Sequence, residues 1–188
     1  MATVANNNTI SKNNNNTMED GSGRRNSLDS AAVQKAFENC KTFLYYLDSG
    51  KGYDACDAYC VEGGASFECQ CETLADIKSV KDYAAWMQEL VGQVFAGFSR
   101  KVHFVSYCEE SHTVAYVATL HGKHATAGGP VPEEVPEMHS DYTYLVKLSH
   151  AEDGKVQSVK KIWNDFYALK QAGWMKSKAE ADEVHHCD

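Results

Sequence analysis

Hydrophobic residues recur at three- and four-residue steps early in the chain and alternate every second residue beyond Arg100. Val33, Phe37, Cys40, Phe43, Leu44 and Leu47, with Lys35, Glu38 and Lys41 opposite, predict an amphipathic helix. Asp29 or Ser30 suits its start and Gly50 its end. Tyr45 and Tyr46 border the stripe, so at least one ring should turn inward. A shorter helix is expected from Gly52 to Cys60, broken by Gly63-Gly64. Ala65 to Cys71 then alternates, with Phe67, Cys69 and Cys71 against Ser66, Glu68 and Gln70, as in a half-buried strand. Ser79 and Asp82 make a capping box for a third helix running to about Phe95. Its buried stripe is Val80, Tyr83, Met87, Leu90, Val91 and Val94, with Trp86 alongside and Gly97 helping to end it.

Four strands are predicted after that: Lys101 to Cys108, His112 to about Ala125, His139 to Ser149, and Val156 to Asn164. A glycine-proline loop around Gly128 to Pro136 separates the second from the third. Helices gathered before hairpin strands predict an α+β fold, with helices covering one face of a curved, mainly antiparallel sheet. Parity sorts the third of these strands into Tyr142, Tyr144, Val146 and Leu148 on one face and His139, Asp141, Thr143 and Lys147 on the other. If the second face lines a cavity, Asp141 can orient His139 for proton transfer; otherwise that face meets solvent or another subunit. Lys160 and Lys161 read as solvated. Trp86, Trp163 and Trp174 read first as core and rim packing, and Tyr46, Trp86, Tyr144 and Trp163 are the rings placed to touch a ligand.

The 188 residues suit one domain over 30–176, between an Asn-rich tail (1–29) expected to be disordered and a polar tail (177–188). A formal charge of −8 without a basic cluster argues against nucleic acid and anionic membranes as partners. No apolar run reaches the roughly 18–20 residues that span a bilayer. With no export signal at the start, the seven cysteines read as reduced thiols in a cytoplasmic protein. Cys56/Cys60 and Cys69/Cys71 fit core packing better than a four-thiolate zinc site, and neither metal nor cofactor is expected. His185-His186-Cys187-Asp188 reads as a polar tail, although it could pick up stray metal. Arg24-Arg25-Asn26-Ser27-Leu28 looks like a basophilic kinase site, with a chance match as the alternative.

Two stretches carry a family resemblance. Asp153-Gly154-Lys155-Val156 leads into a strand, and Leu169-Lys170-Gln171-Ala172-Gly173 reads L-x-Q-x-G. Gly122-Lys123-His124-Ala125-Thr126, before the glycine-proline loop, is similar to a Gly-x-His-x-Gly segment. Together with the order of elements, these resemble SnoaL-like polyketide cyclases of the nuclear-transport-factor-2-like superfamily, over roughly residues 31 to 174. The resemblance implies a cone-shaped fold with one deep pocket, and cofactor-free acid/base chemistry on a small apolar molecule. It also implies functional roles for His124 and for the end of the last strand. The family's acid/base Asp falls on Asn164, an amide that cannot shuttle protons, and Asp165 follows it. Either Asp165 turns inward as the base with Asn164 as an oxyanion donor, or Asn164 orients the ligand while His124 or the His139-Asp141 pair moves the proton. Asp165 would otherwise cap the following turn. A binding-only or protein-interaction module on the same fold is the rival expectation. Apolar residues on both sheet parities, such as Val105 and Tyr107 against Phe104, predict a homodimer through the outer sheet face.

Overall fold

The first helical stripe forms α1, Ser30–Asp48, in a computed structural model that describes residues 30–124 and 137–175. Ala36, Cys40, Phe43, Leu44 and Leu47 are buried along it, as their spacing requires. A short α2, Tyr53–Cys56, continues as a single 3-10 turn over Asp57–Tyr59. Ser79 caps α3, Val80–Glu89, its Oγ accepting from the Asp82 N–H at 3.0 Å. Cys40, Cys56, Cys60 and Cys71 are all buried, where small apolar thiols pack well.

The third helix ends sooner than its hydrophobic period suggested. A π-helical turn over Leu90–Val94 follows Glu89, and the next strand already begins at Phe95. The Leu90–Val94 side chains are apolar enough to pack in either geometry, so periodicity could not mark the change. Gly97, at φ +63°, sits in a bulge between Ala96 and Ser99 rather than at a helix end.

Five strands build one sheet: β1 Ser66–Cys69, β2 Phe95–Cys108, β3 Thr113–His124, β4 Met138–Leu148 and β5 Val156–Trp163. Their order is β1-β5-β4-β3-β2, antiparallel throughout except that β1 runs parallel to β5. The expected four-stranded meander is therefore present, and β1 covers its far edge. Tyr142, Tyr144, Val146 and Leu148 on β4 face the helices and are buried, while His139 and Asp141 face away and are exposed. A last helix, α4 (Asp165–Gln171), closes one end. Among the described residues no helix is long and apolar enough to cross a membrane. The expectations for 1–29 (Ser27 included), for the Gly128–Pro136 loop and for 177–188 lie outside the described residues.

The turn between β4 and β5 rests against α1. Asp153 and Gly154 both have positive φ, +48° and +73°. A Cβ added to Gly154 would lie 2.3 Å from the Ala36 Cβ, so this turn admits no side chain. Gly154→Ala should destabilise the fold by roughly 3 kcal/mol through overpacking and left-handed strain. Chemical denaturation that returned a midpoint equal to wild type would show that the turn does not pack as described.

Candidate functional site

Asp48 ends α1 on the same stripe as Leu44, one turn further along, and is buried to 2% exposure. A helix C-terminus disfavours a carboxylate, so other contacts must hold it there. Tyr142 Oη donates to its Oδ2 at 2.5 Å and Tyr144 Oη to its Oδ1 at 2.9 Å, both from the inward face of β4. Tyr83 of α3 lies 2.6 Å from Tyr144, oxygen to oxygen, and Lys161 Nζ of β5 donates to Tyr83 Oη at 2.8 Å. Because Tyr144 gives its proton to Asp48, Tyr83 must donate to Tyr144 and accept from Lys161. The result is a directed chain of donors, Lys161 to Tyr83 to Tyr144 to Asp48. Arg100 Nε approaches Asp48 Oδ2 at 3.8 Å from β2.

Lys161 is only 5% exposed, which corrects its reading as a solvated residue. It pairs with Tyr144 across β4 and β5 and with Cys69 across β1, so it occupies an inward position on an interior strand. Rings surround its ammonium, with Trp163 at 4.5 Å and Trp86 at 5.8 Å to centroid. Burial lowers its pKa to about 8, and the Asp48 charge only partly opposes this. Burial likewise raises the Asp48 pKa, against hydrogen bonds from Tyr142 and Tyr144 and the charges of Lys161 and Arg100. Burial, then the nearby Asp48 charge, pushes the Tyr83 and Tyr144 phenols well above their ordinary value. The carboxylate and ammonium shifts both narrow the gap between the ion pair and the neutral pair.

These groups face a cavity of about 250 Å³ between the helices and the sheet. Asp48, Tyr142, Tyr144 and Lys161, with Thr73 and Glu89, form its polar part, and Trp86, Leu90, Phe95, Met138, Trp163 and Trp174 much of its apolar wall. It falls just below the ~300–1,000 Å³ typical of ligand pockets, so it suits an occupant smaller than a drug-sized molecule. Trp174 lines the cavity, and its indole N–H is buried with no partner among the described residues.

Solved structures share this α+β architecture of a curved, mainly antiparallel sheet with helices packed on it. BvnE pinacolase from Penicillium brevicompactum superposes with a TM-score of 0.58 at 10% identity, over 79% of this chain and 96% of that one. An NTF2-like protein from Burkholderia thailandensis gives 0.54 at 12%, over 73% and 96%. An LEH-like epoxide hydrolase of M. tuberculosis gives 0.51 at 16%, over 74% and 85%. The chain has the nuclear-transport-factor-2-like fold. No family model matches its sequence, and no curated protein matches it either.

Within this nuclear-transport-factor-2-like frame the sequence candidates separate. Tyr144, Trp86 and Trp163 line the cavity. Tyr46 does not, packing instead against Tyr45 and Tyr59. His124 is buried behind the wall, edge-on to Phe95 and Trp174. Asn164 is the N-cap of α4, its Oδ1 accepting from the Tyr167 N–H at 3.0 Å. Asp165 accepts from the Thr73 N–H at 3.1 Å and from Thr73 Oγ1 at 2.8 Å, which ties α4 to the segment after β1. Asp141 accepts from Thr119 Oγ1 at 2.6 Å on the outer face, away from the cavity. Gln171 of the L-x-Q-x-G stretch brackets the His139 backbone through both its amide groups, while Leu169 reaches the cavity.

Asp48, Tyr83 and Lys161 went unrecognised as site residues in the sequence. A faint signal existed for two of them: a carboxylate on the apolar stripe at a helix end, and a lysine in step with Val159.

Asp165 offers a direct test of role. Burial works to raise its pKa, but the hydrogen bonds from Thr73 and from the Phe166 N–H outweigh it and leave the carboxyl below its usual value. Its contribution to stability is therefore full above the ordinary carboxylate pKa and is lost as pH falls through the lower folded value. Asp165→Asn should lower the thermal midpoint at pH 7, and the difference from wild type should vanish in strong acid. A docking role leaves turnover within a few-fold, whereas loss of a general base costs ~10²–10⁴.

Proposed function

We propose that the cavity is the active site of a cofactor-free acid/base enzyme of isomerase, cyclase, dehydratase or hydrolase type. Its substrate is a small, mainly apolar molecule carrying a carbonyl or epoxide oxygen. The observation that carries this reading is the directed chain from Lys161 through Tyr83 and Tyr144 to Asp48, with both ends exposed to a largely apolar cavity. The reading moves the proton chemistry from Asn164, Asp165, His124 and the His139-Asp141 pair to Asp48 and Lys161.

The substrate oxygen sits at the Lys161 ammonium, which stabilises charge developing on it by ~3 kcal/mol and supplies its proton. Asp48 removes a proton from the adjacent carbon or, in hydrolysis, from the attacking water. Asp48 is then neutral and Lys161 is an amine. The two phenols return the proton from Asp48 to Lys161 by reversing their hydroxyl directions. Opposed pKa shifts, up for Asp48 and down for Lys161, narrow the energy gap of that return. The free Trp174 N–H can meet a second acceptor on the substrate.

A panel of small cyclic ketones and epoxides tests this by mass spectrometry in deuterated water. The wild-type chain should exchange ketone α-protons or open an epoxide, and Lys161→Met and Asp48→Asn should each lose ~100-fold or more while staying folded. If panel members quench tryptophan fluorescence without exchange or opening, the domain is a non-catalytic binding module. That rival has one observation in its favour, since the polar chain is already satisfied without a ligand.

The buried ammonium should also be visible in stability. Between pH 8 and about 10.5 the unfolded chain holds a proton on Lys161 that the folded chain has lost, so folding grows more favourable as pH rises. From pH 7 to pH 10 the wild type should gain on the order of 3 kcal/mol relative to Lys161→Met. Parallel denaturation curves at the two pH values would contradict a lysine buried as a charge.

Two further parts of the proposal concern setting. The cysteines among the described residues are free, which supports a reducing compartment such as the cytoplasm. On the sheet, Phe104 and Ile162 are each 53% exposed, which supports pairing of two copies. Light scattering should return a dimer mass at tens of micromolar.

A further inference from the structure

On the outer face of the sheet, opposite the cavity, three metal-ligating side chains converge. His121 and His139 are direct partners across β3 and β4, their rings 4.6 Å apart and nearly perpendicular. Glu137, two residues before His139, approaches it Oε2 to Nε2 at 3.8 Å. One ligand atom from each of the three lies within 4.8 Å of the other two. We propose that His121, Glu137 and His139 form a binding site for a divalent transition-metal ion of the zinc class.

Geometry and chemistry agree on this. A tetrahedral ion with bonds of ~2.0–2.1 Å holds its ligand atoms roughly 3.3 Å apart. Closing the present spacing to that value needs only small rotations of the exposed Glu137 and His139 and the half-buried His121 side chains. The backbones beneath the two histidines are already fixed: the strand register sets His121 against His139, and Gln171 grips His139 through its N–H at 2.9 Å and its carbonyl at 2.8 Å.

Apart from the Glu137 approach, neither imidazole has a ring hydrogen bond among the described residues. His103 on the same face differs, its Nε2 lying 2.6 Å from Thr119 Oγ1. Two imidazoles and one carboxylate suit zinc, copper or nickel, whereas magnesium and calcium prefer all-oxygen shells. Three protein ligands leave the fourth position to water. The ion would fasten the ends of β3 and β4, whose inward neighbours Leu120 and Met138 line the cavity.

The terminal His185-His186-Cys187 is the competing binder, so the test separates the two. The metal-free full chain is titrated with zinc chloride by calorimetry, and with cobalt chloride for the visible spectrum. The wild type and a His185→Ala/His186→Ala/Cys187→Ser variant should both bind one zinc per chain at this site. His121→Asn and His139→Asn, in that tail-substituted background, should weaken zinc at least ~10–100-fold, and Glu137→Gln about tenfold. Cobalt should show tetrahedral absorption that is lost in the histidine variants. If a histidine variant fails to fold, Glu137→Gln decides. Zinc binding that disappears with the tail, that survives unchanged in the site variants, or that equimolar magnesium displaces would overturn the proposal.

Discussion

A buried charge pair organises this protein. Taking Asp48 and Lys161 out of water costs several kcal/mol per ion, and their attraction offsets it only if hydrogen bonds satisfy the remaining donors and acceptors. Here two tyrosines, one from a helix and one from the sheet, relay that satisfaction across the core. The last turn of α1, the middle of α3, the inward face of β4 and the interior strand β5 must therefore all meet at one place. A well-packed apolar replacement would hold the same elements together at least as well. The polar chain thus has little to offer stability, which favours the proposed role in the cavity over a structural one.

Aromatic packing makes the pair tolerable. Phe67 stacks on Tyr83 at 4.1 Å with 11° between planes, Trp86 lies stacked to Tyr83 at 5.8 Å, and Tyr144 meets Tyr83 edge-on. These rings exclude water from the phenols yet present negative faces to the Lys161 ammonium. The cavity wall is mainly apolar, with Asp48, Tyr142, Tyr144, Lys161, Thr73 and Glu89 as its polar members. Short supports, such as the Trp163 N–H donating to Ser140 at 2.9 Å, keep the rings in place.

Much of the fold was legible because it rests on local periodicity. The α1 stripe, the Ser79 cap and the parity of β4 follow from residue spacing, and the structure has them as read. The site was less legible because burial of its charges depends on non-local pairing. Lysine in an antiparallel strand ordinarily reads as solvent-facing, and Lys161 becomes interior only because β1 joins beyond β5. Asp48 reads as the polar end of a helix until Tyr142 and Tyr144 arrive from a strand far along the chain. Asn164 illustrates the opposite case. Its position in the family signature suggested a pocket residue, while its side-chain chemistry suited the helix cap it makes.

The parallel pairing of β1 with β5 bears on how the molecule is made. Glu68 and Lys160, which meet across that pair at 2.9 Å, are 92 residues apart in sequence. Contacts between such distant segments raise contact order and slow folding, because a long loop must close before the contact is rewarded. During synthesis α1 to α3 and the β2–β3 hairpin emerge first, and β5 can take its interior place only near the end. Until then Asp48 lacks Lys161, with only Arg100 of β2 as a counter-charge, and the polar chain cannot form. The chemistry of the cavity is thus among the last things the nascent chain acquires.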